Sequence, residues 1–226
     1  MSYALEIKYT KRKNTVGIKV QNNQVIVLAP KRTSKRFIFN LLNKKEEWIQ
    51  KHLQKTSKKR LETNQLYIFG EKLDLQFKEA NHNAFHYENG SITLNYKEQL
   101  DHKKILFLFD SWIKNTAKNY ILSRATELAQ QTALTPNKIL LKNTKSQWGS
   151  CSRTKNVSLS YNLIYTPKPV IDYVIIHELS HLREMNHSKN FWTQVATHCP
   201  EYKESVQWLK EHGFLLNLEQ ELYFEF

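Results

Sequence analysis

The sequence predicts an α+β chain in two units: a strand-rich one over residues 1–97, and one over residues 98–226 in which a histidine-bearing helix lies beside a small sheet. Three observations predict it. Before residue 97, apolar and polar residues alternate with period two in short runs, the mark of half-buried strands. From Asp101 to Thr132 the apolar spacing becomes helical. A nearly continuous apolar run then leads into His177, Glu178, Leu179, Ser180 and His181, as in a helix buried on most sides.

The N-terminal elements follow in order. Val16, Ile18 and Val20, then residues 25–28, read as two strands of a hairpin with residues 21–24 as the turn. Pro30 stops the second strand because it has no N–H to give the ladder. Thr33 and Ser34 offer a helix cap. One helix is expected over residues 36–53, with Phe37, Leu41, Leu42, Trp48, Ile49 and Leu53 at helical spacing. Residues 55–65 are polar and charged, a loop or frayed helix end. Residues 66–77 and 91–96 read as strands, with Gly70 and Gly90 at turns.

In the second unit a long helix is expected over residues 101–132, its pattern running through Ile105, Leu108, Phe109, Trp112, Ile113, Ala117, Tyr120, Ile121, Ala125 and Leu128, closed by Thr135 and Pro136. Residues 139–142 and 157–163 are short strands, with residues 146–152 in front of the second. Pro167 fits the first turn of the histidine helix, where its missing N–H leaves no bond unmade. Residues 186–188 form a turn, and Ser188 caps a helix over residues 189–196. Residues 206–226 mix apolar and acidic side chains, as a segment covering the core would.

Composition narrows the classes of function. At 40% hydrophobic and 12% aromatic residues the chain is globular, and no stretch approaches the ~18 apolar residues of a membrane span. The first residues include Glu6 and no long apolar run, so no signal peptide is expected and the expected location is cytoplasmic. Cys151 and Cys199 belong to no C-x-x-C pair and are expected to be reduced thiols. A formal charge of +13 attracts polyanions, and basic clusters such as Lys11–Lys13, Lys35–Arg36 and residues 55–60 concentrate it in the N-terminal half. Nucleic acid, anionic ligands and membrane surfaces all respond to such charge; of these, nucleic acid is the partner expected, although no base-reading motif accompanies it.

His177 and His181, four apart, lie on one helix face and can point at a single cation. Glu178 beside them is placed to take a proton from a metal-bound water rather than to ligate. The turn at residues 186–188 lets His187 fold back as third ligand, leaving a fourth position for water, as in a catalytic Zn2+ site. This set suits hydrolysis of a peptide or protein substrate. Two alternatives stay open: a metal-dependent nucleotide or phosphoanhydride hydrolase, which has no Gly-rich phosphate loop behind it, and a nucleic-acid-associated metal-binding protein.

Residues 146–152, 157–164, 170–182 and 186–192, in that order, resemble the YgjP-like family of zinc metallopeptidases. That family is similar to the SprT and WLM metalloproteases, which share H-E-x-x-H and a later histidine. The resemblance extends upstream through Lys11–Lys13, Pro30 and residues 45–53. It implies a zincin-like C-terminal half, His177, His181 and His187 as zinc ligands, and Glu178 as general base. It also implies an edge strand that holds substrate, with Gln147, Trp148, Gly149 and Ser150 as the binding residues. Family members often carry a basic residue where this chain has Gln147. Tyr161, Tyr165, Tyr173 and His198 all carry a donor that could stabilise an oxyanion, while His198, eleven residues beyond His187, is too distant to bind the same ion.

Overall fold

The computed structural model describes residues 3–12, 15–21, 24–57, 63–144, 146–213, 215, 216, 222 and 224. The turn residues 22 and 23, Lys13, and residues 58–62 of the expected loop lie outside this set. The chain divides into two compact units, Met1–Arg60 and Leu61–Phe226.

In the first unit, β2 (Gly17–Gln21) and β3 (Gln24–Pro30) form the expected antiparallel hairpin, and β1 (Ala4–Thr10) adds to β3 in parallel, giving the order β1-β3-β2. β3 alternates strictly, with Val25, Val27 and Ala29 fully buried. They pack with Ile38 and Leu42 of α1 (Lys35–Lys44) and with Ile49 and Leu53 of α2 (Glu46–Ser57). Ser34 caps α1 by accepting from the Phe37 N–H at 3.2 Å. The single helix expected over residues 36–53 is therefore two, broken at Lys45. The charges fit the break: Lys44 ends α1 and Glu46 and Glu47 open α2, each facing the helix end whose dipole it complements.

In the second unit, β4 (Gln65–Ile68), β5 (Glu71–Glu79), β6 (Ala84–Glu88) and β7 (Ser91–Tyr96) form a sheet of order β4-β5-β7-β6. Two-residue turns join its hairpins, with Phe69 and Gly70 at φ 51° and 84° and Asn89 and Gly90 at 51° and 75°. Positive φ at both central residues matches the right-handed twist of the strands. β6, which sequence periodicity did not reveal, completes the second hairpin. Against this sheet runs α3 (His102–Gln131), opened by Asp101, whose side chain accepts from the Lys104 N–H at 2.8 Å. Phe85 of β6 meets Phe109 and Trp112 of α3 at ring distances of 5.5 Å.

A second small sheet, order β8-β10-β9, contains β8 (Lys138–Lys142), β9 (Gly149–Cys151) and β10 (Asn156–Ser160). The strand expected to run to residue 163 ends at Ser160, whose hydroxyl accepts from the Asn162 N–H at 3.2 Å and starts a 3-10 turn over Tyr161–Tyr165. Three helices close the unit: α4 (Lys168–Ser180), α5 (Lys189–His198) and α6 (Tyr202–Glu211). Of the tail, Leu215, Leu222 and Phe224 are buried in the core, and Leu216 accepts at its carbonyl from Asn162 Nδ2 at 2.7 Å. The four-stranded sheet shares one apolar cluster with α3 and α4. That is why the contacts divide after Arg60 and not at residue 97, where the composition changes. Among the described residues no helix is long and apolar enough to cross a membrane.

Candidate metal centre

α4 is buried nearly all round, from Val170 to Ser180, as its apolar run requires. It presents His177 on its last turn and His181 at its C-cap. The chain then winds through two tight turns, with Arg183 and Glu184 donating to the Ser180 carbonyl at 3.1 Å each. Asn186 Oδ1 accepts from the Ser188 N–H at 3.2 Å, and the Ser188 hydroxyl caps α5 by accepting from Phe191 N–H at 3.3 Å. These local bonds carry His187 back over α4.

The three imidazoles converge. His177 Nε2 and His187 Nε2 lie 3.1 Å apart, and one ring nitrogen from each of the three histidines falls within 4.8 Å of the others. Tetrahedral zinc with bonds of about 2.0–2.1 Å sets neighbouring nitrogens roughly 3.3 Å apart. Burial, with His181 and His187 adding to it, lowers the His177 pKa to about 4. His181 is lowered too, chiefly by burial. Neutral imidazoles are the ligating form. The far side of the His181 ring is fixed, since its Nδ1–H can donate to the Glu184 carbonyl at 2.9 Å and leave Nε2 for a cation. The residues present therefore fit a zinc ion.

Glu178 is only 6% exposed, and burial pushes its carboxyl up to about 8. A Cβ at Gly149 would stand 2.7 Å from both Cγ and Oε1 of Glu178, so β9 approaches the carboxylate only because this position has no side chain. β9 is also the edge of its sheet. Trp148 accepts from Ser160 N–H at 2.8 Å, and Ser152 donates to the Asn156 carbonyl at 2.9 Å. The alternation of an antiparallel ladder then aims the backbone groups of Gly149 and Cys151 at the open edge, and those of Trp148 and Ser150 at β10. Of the four predicted substrate residues, Gly149 lies against Glu178, Trp148 packs on the core and Gln147 is exposed.

Phe191, fully buried, stands 4.9, 4.5 and 4.8 Å from the rings of His177, His181 and His187 and backs the whole cluster. Trp192 stacks on His187 at 5.8 Å and on Tyr202 at 5.2 Å. The sequence puts Phe191 and Trp192 in the helix over residues 189–196 and in the resembling segment 186–192 without giving either a place at the site; their position four and five residues after His187, one turn on, is the signal that points to them. Among the tyrosines, Tyr173 sets its hydroxyl 3.4 Å from His177 Nδ1, and burial followed by the Glu178 charge raises it to about 12, so it stays a phenol. Tyr165 is buried in the core. His198 lines a separate cavity of about 650 Å³ with Arg124, Asp172 and Trp208.

The model of the family described as YgjP-like, metallopeptidase domain, matches residues 14–212. No curated protein matches the chain. Among solved structures, the metallopeptidase zymogen abylysin of Pyrococcus abyssi is similar at 18% identity and TM-score 0.37, over 41% of this chain and 95% of that one. The metallopeptidase zymogen jannalysin of Methanocaldococcus jannaschii is similar at 20% identity and TM-score 0.33, over 39% and 94%.

Proposed function

Because the chain belongs to the YgjP-like metallopeptidase family, we propose that it hydrolyses internal peptide bonds with a zinc ion held by His177, His181 and His187. The convergence of three imidazoles beside one buried carboxylate is the observation that carries the reading. Bound zinc supplies Lewis acidity, which polarises a scissile carbonyl and makes a water more acidic. Glu178 takes the proton from that water and returns it to the leaving amide nitrogen. A carboxyl whose pKa burial has raised is a better base for this shuttle than an exposed one, and a positive ion nearby brings it back toward the ionised form. The open edge of β9 holds an extended substrate by backbone hydrogen bonds through Gly149 and Cys151, which sets the peptide alongside Glu178. Tyr173 steadies His177 rather than meeting the substrate.

The test compares zinc-loaded protein with Glu178→Gln on a peptide library read by mass spectrometry, with nucleoside triphosphates as a parallel substrate. The expected outcome is peptide cleavage that falls at least ~100-fold in the variant while about one zinc per chain is retained. A variant as active as the parent would overturn the role of Glu178. Triphosphate hydrolysis without peptide cleavage would favour the phosphoanhydride alternative.

A further inference from the structure

The charge of this chain is not spread over it. Residues 1–60 hold sixteen lysines and arginines against three glutamates, whereas residues 61–226 hold eighteen of each sign. The whole excess of +13 therefore sits on the Met1–Arg60 unit, and the unit with the metal centre is neutral. All eleven basic side chains described in the first unit are exposed. Its few acids offset little: Glu6 pairs with Lys8 at 3.2 Å, and Glu46 is engaged by Tyr3 and Gln50. So much like charge on a small body is self-repelling, and a polyanion relieves it.

The same unit leaves large rings in solvent. Tyr9, Phe37, Phe39 and Trp48 are 45%, 55%, 41% and 41% exposed. The core does not use them, because Ile38 and Leu42 already supply the buried stripe of α1. Phe37 and Phe39 stand on either side of that stripe, preceded by Lys35 and Arg36 and followed by Lys44 and Lys45. On α2, Trp48 lies on His52 with ring centres 4.0 Å apart, next to exposed Lys51. A basic surface alone would suit any polyanion. Exposed rings among the cations select one whose flat apolar faces are accessible, and unpaired bases provide these while a duplex hides them.

We propose that the Met1–Arg60 unit binds single-stranded nucleic acid, with its lysines and arginines on the phosphates and with Phe37, Phe39 and Trp48 stacking on bases. The proposal stands independently of the peptidase reading. Fluorescence anisotropy of the full chain tests it, using labelled single-stranded DNA, single-stranded RNA and duplex DNA of about 20 nucleotides. Single strands should bind more tightly than the duplex, and affinity should fall roughly 50-fold between about 50 and 200 mM salt if four phosphates are engaged. The double substitution Phe37→Ala and Phe39→Ala should weaken single-strand binding by about 30-fold or more and leave duplex binding unchanged. Lys35→Glu with Arg36→Glu should weaken both. These side chains are exposed, so circular dichroism should show an unaltered fold. Whether DNA or RNA binds more tightly identifies the source of the strand. The proposal is overturned by duplex or heparin binding as tight as single strands with the ring variants silent, by binding to phosphatidylglycerol vesicles alone, or by no binding at low salt.

Discussion

Gly149 meets Glu178 in a contact that is steric. With no side chain at 149, the backbone of β9 lies on the carboxylate; with a methyl group there, atoms would meet at 2.7 Å. Gly149→Ala should displace Glu178 and lower kcat/KM by about 100-fold, while elemental analysis finds the zinc content unchanged. His187→Ala should act on the metal instead, removing one of the three proposed ligands so that stoichiometric zinc is lost on dialysis. Glu178 also marks the metal-free protein. Its folded pKa of about 8 lies above the ordinary carboxyl value, so the fold favours the protonated form. That contribution to stability is complete below about pH 4.5 and is lost as pH rises through about 8. In the metal-free state Glu178→Gln should therefore raise the Tm relative to the parent at pH 8.5 and have little relative effect near pH 4.5, as thermal melts across the range would show. The convergence of His177, His181 and His187 was legible because it follows from residue type and spacing along a helix and one turn. The Gly149 contact was not, since nothing local distinguishes a glycine at a turn from one that lets two elements touch.

At the scale of elements, α4 must be held in place at its beginning for its last turn to present ligands. The turn between β4 and β5 does part of this: Phe69 N–H donates to the Ile164 carbonyl at 2.8 Å and Gly70 N–H to the Tyr165 carbonyl at 3.2 Å. Gly70 has φ 84°, and a Cβ there would reach within 2.4 Å of the Pro167 ring just ahead of α4. Gly70→Ala combines backbone strain with a clash, so it should destabilise by more than about 2 kcal/mol, measurable in urea melts. Arg124 of α3 provides the second hold, meeting Asp172 of α4 through two bonds of 2.8 Å. Helices and strands with strong periodicity were legible, including α3, whose apolar pattern runs its whole length. The break at Lys45 was hidden because Ile49 and Leu53 continue the apolar spacing of α1 across it. The β1–β3 pairing was hidden for another reason: parallel neighbours joined through an intervening strand leave no mark in sequence order.

For the molecule as a whole, two separate apolar clusters imply two cooperative bodies. Differential scanning calorimetry should resolve two transitions. Saturating zinc should raise the one belonging to Leu61–Phe226, by about 4 kcal/mol at 1,000 times the Kd, and leave the other in place; a single transition that shifts intact would show that the two melt together. The sequence by itself determined the α+β class, the three histidines and the carboxylate proposed for the metal centre, and the segregation of charge. Each of these rests on residue identity, on spacing within one helix or on composition, all of which are properties of the linear chain. Only the tertiary structure decided that the four-stranded sheet shares a core with α3 and α4, that Phe191 backs all three imidazoles, and that β9 lies against Glu178 with Gly149 at the contact. These depend on which surfaces meet when distant segments bury their apolar faces together, and no local pattern encodes that choice.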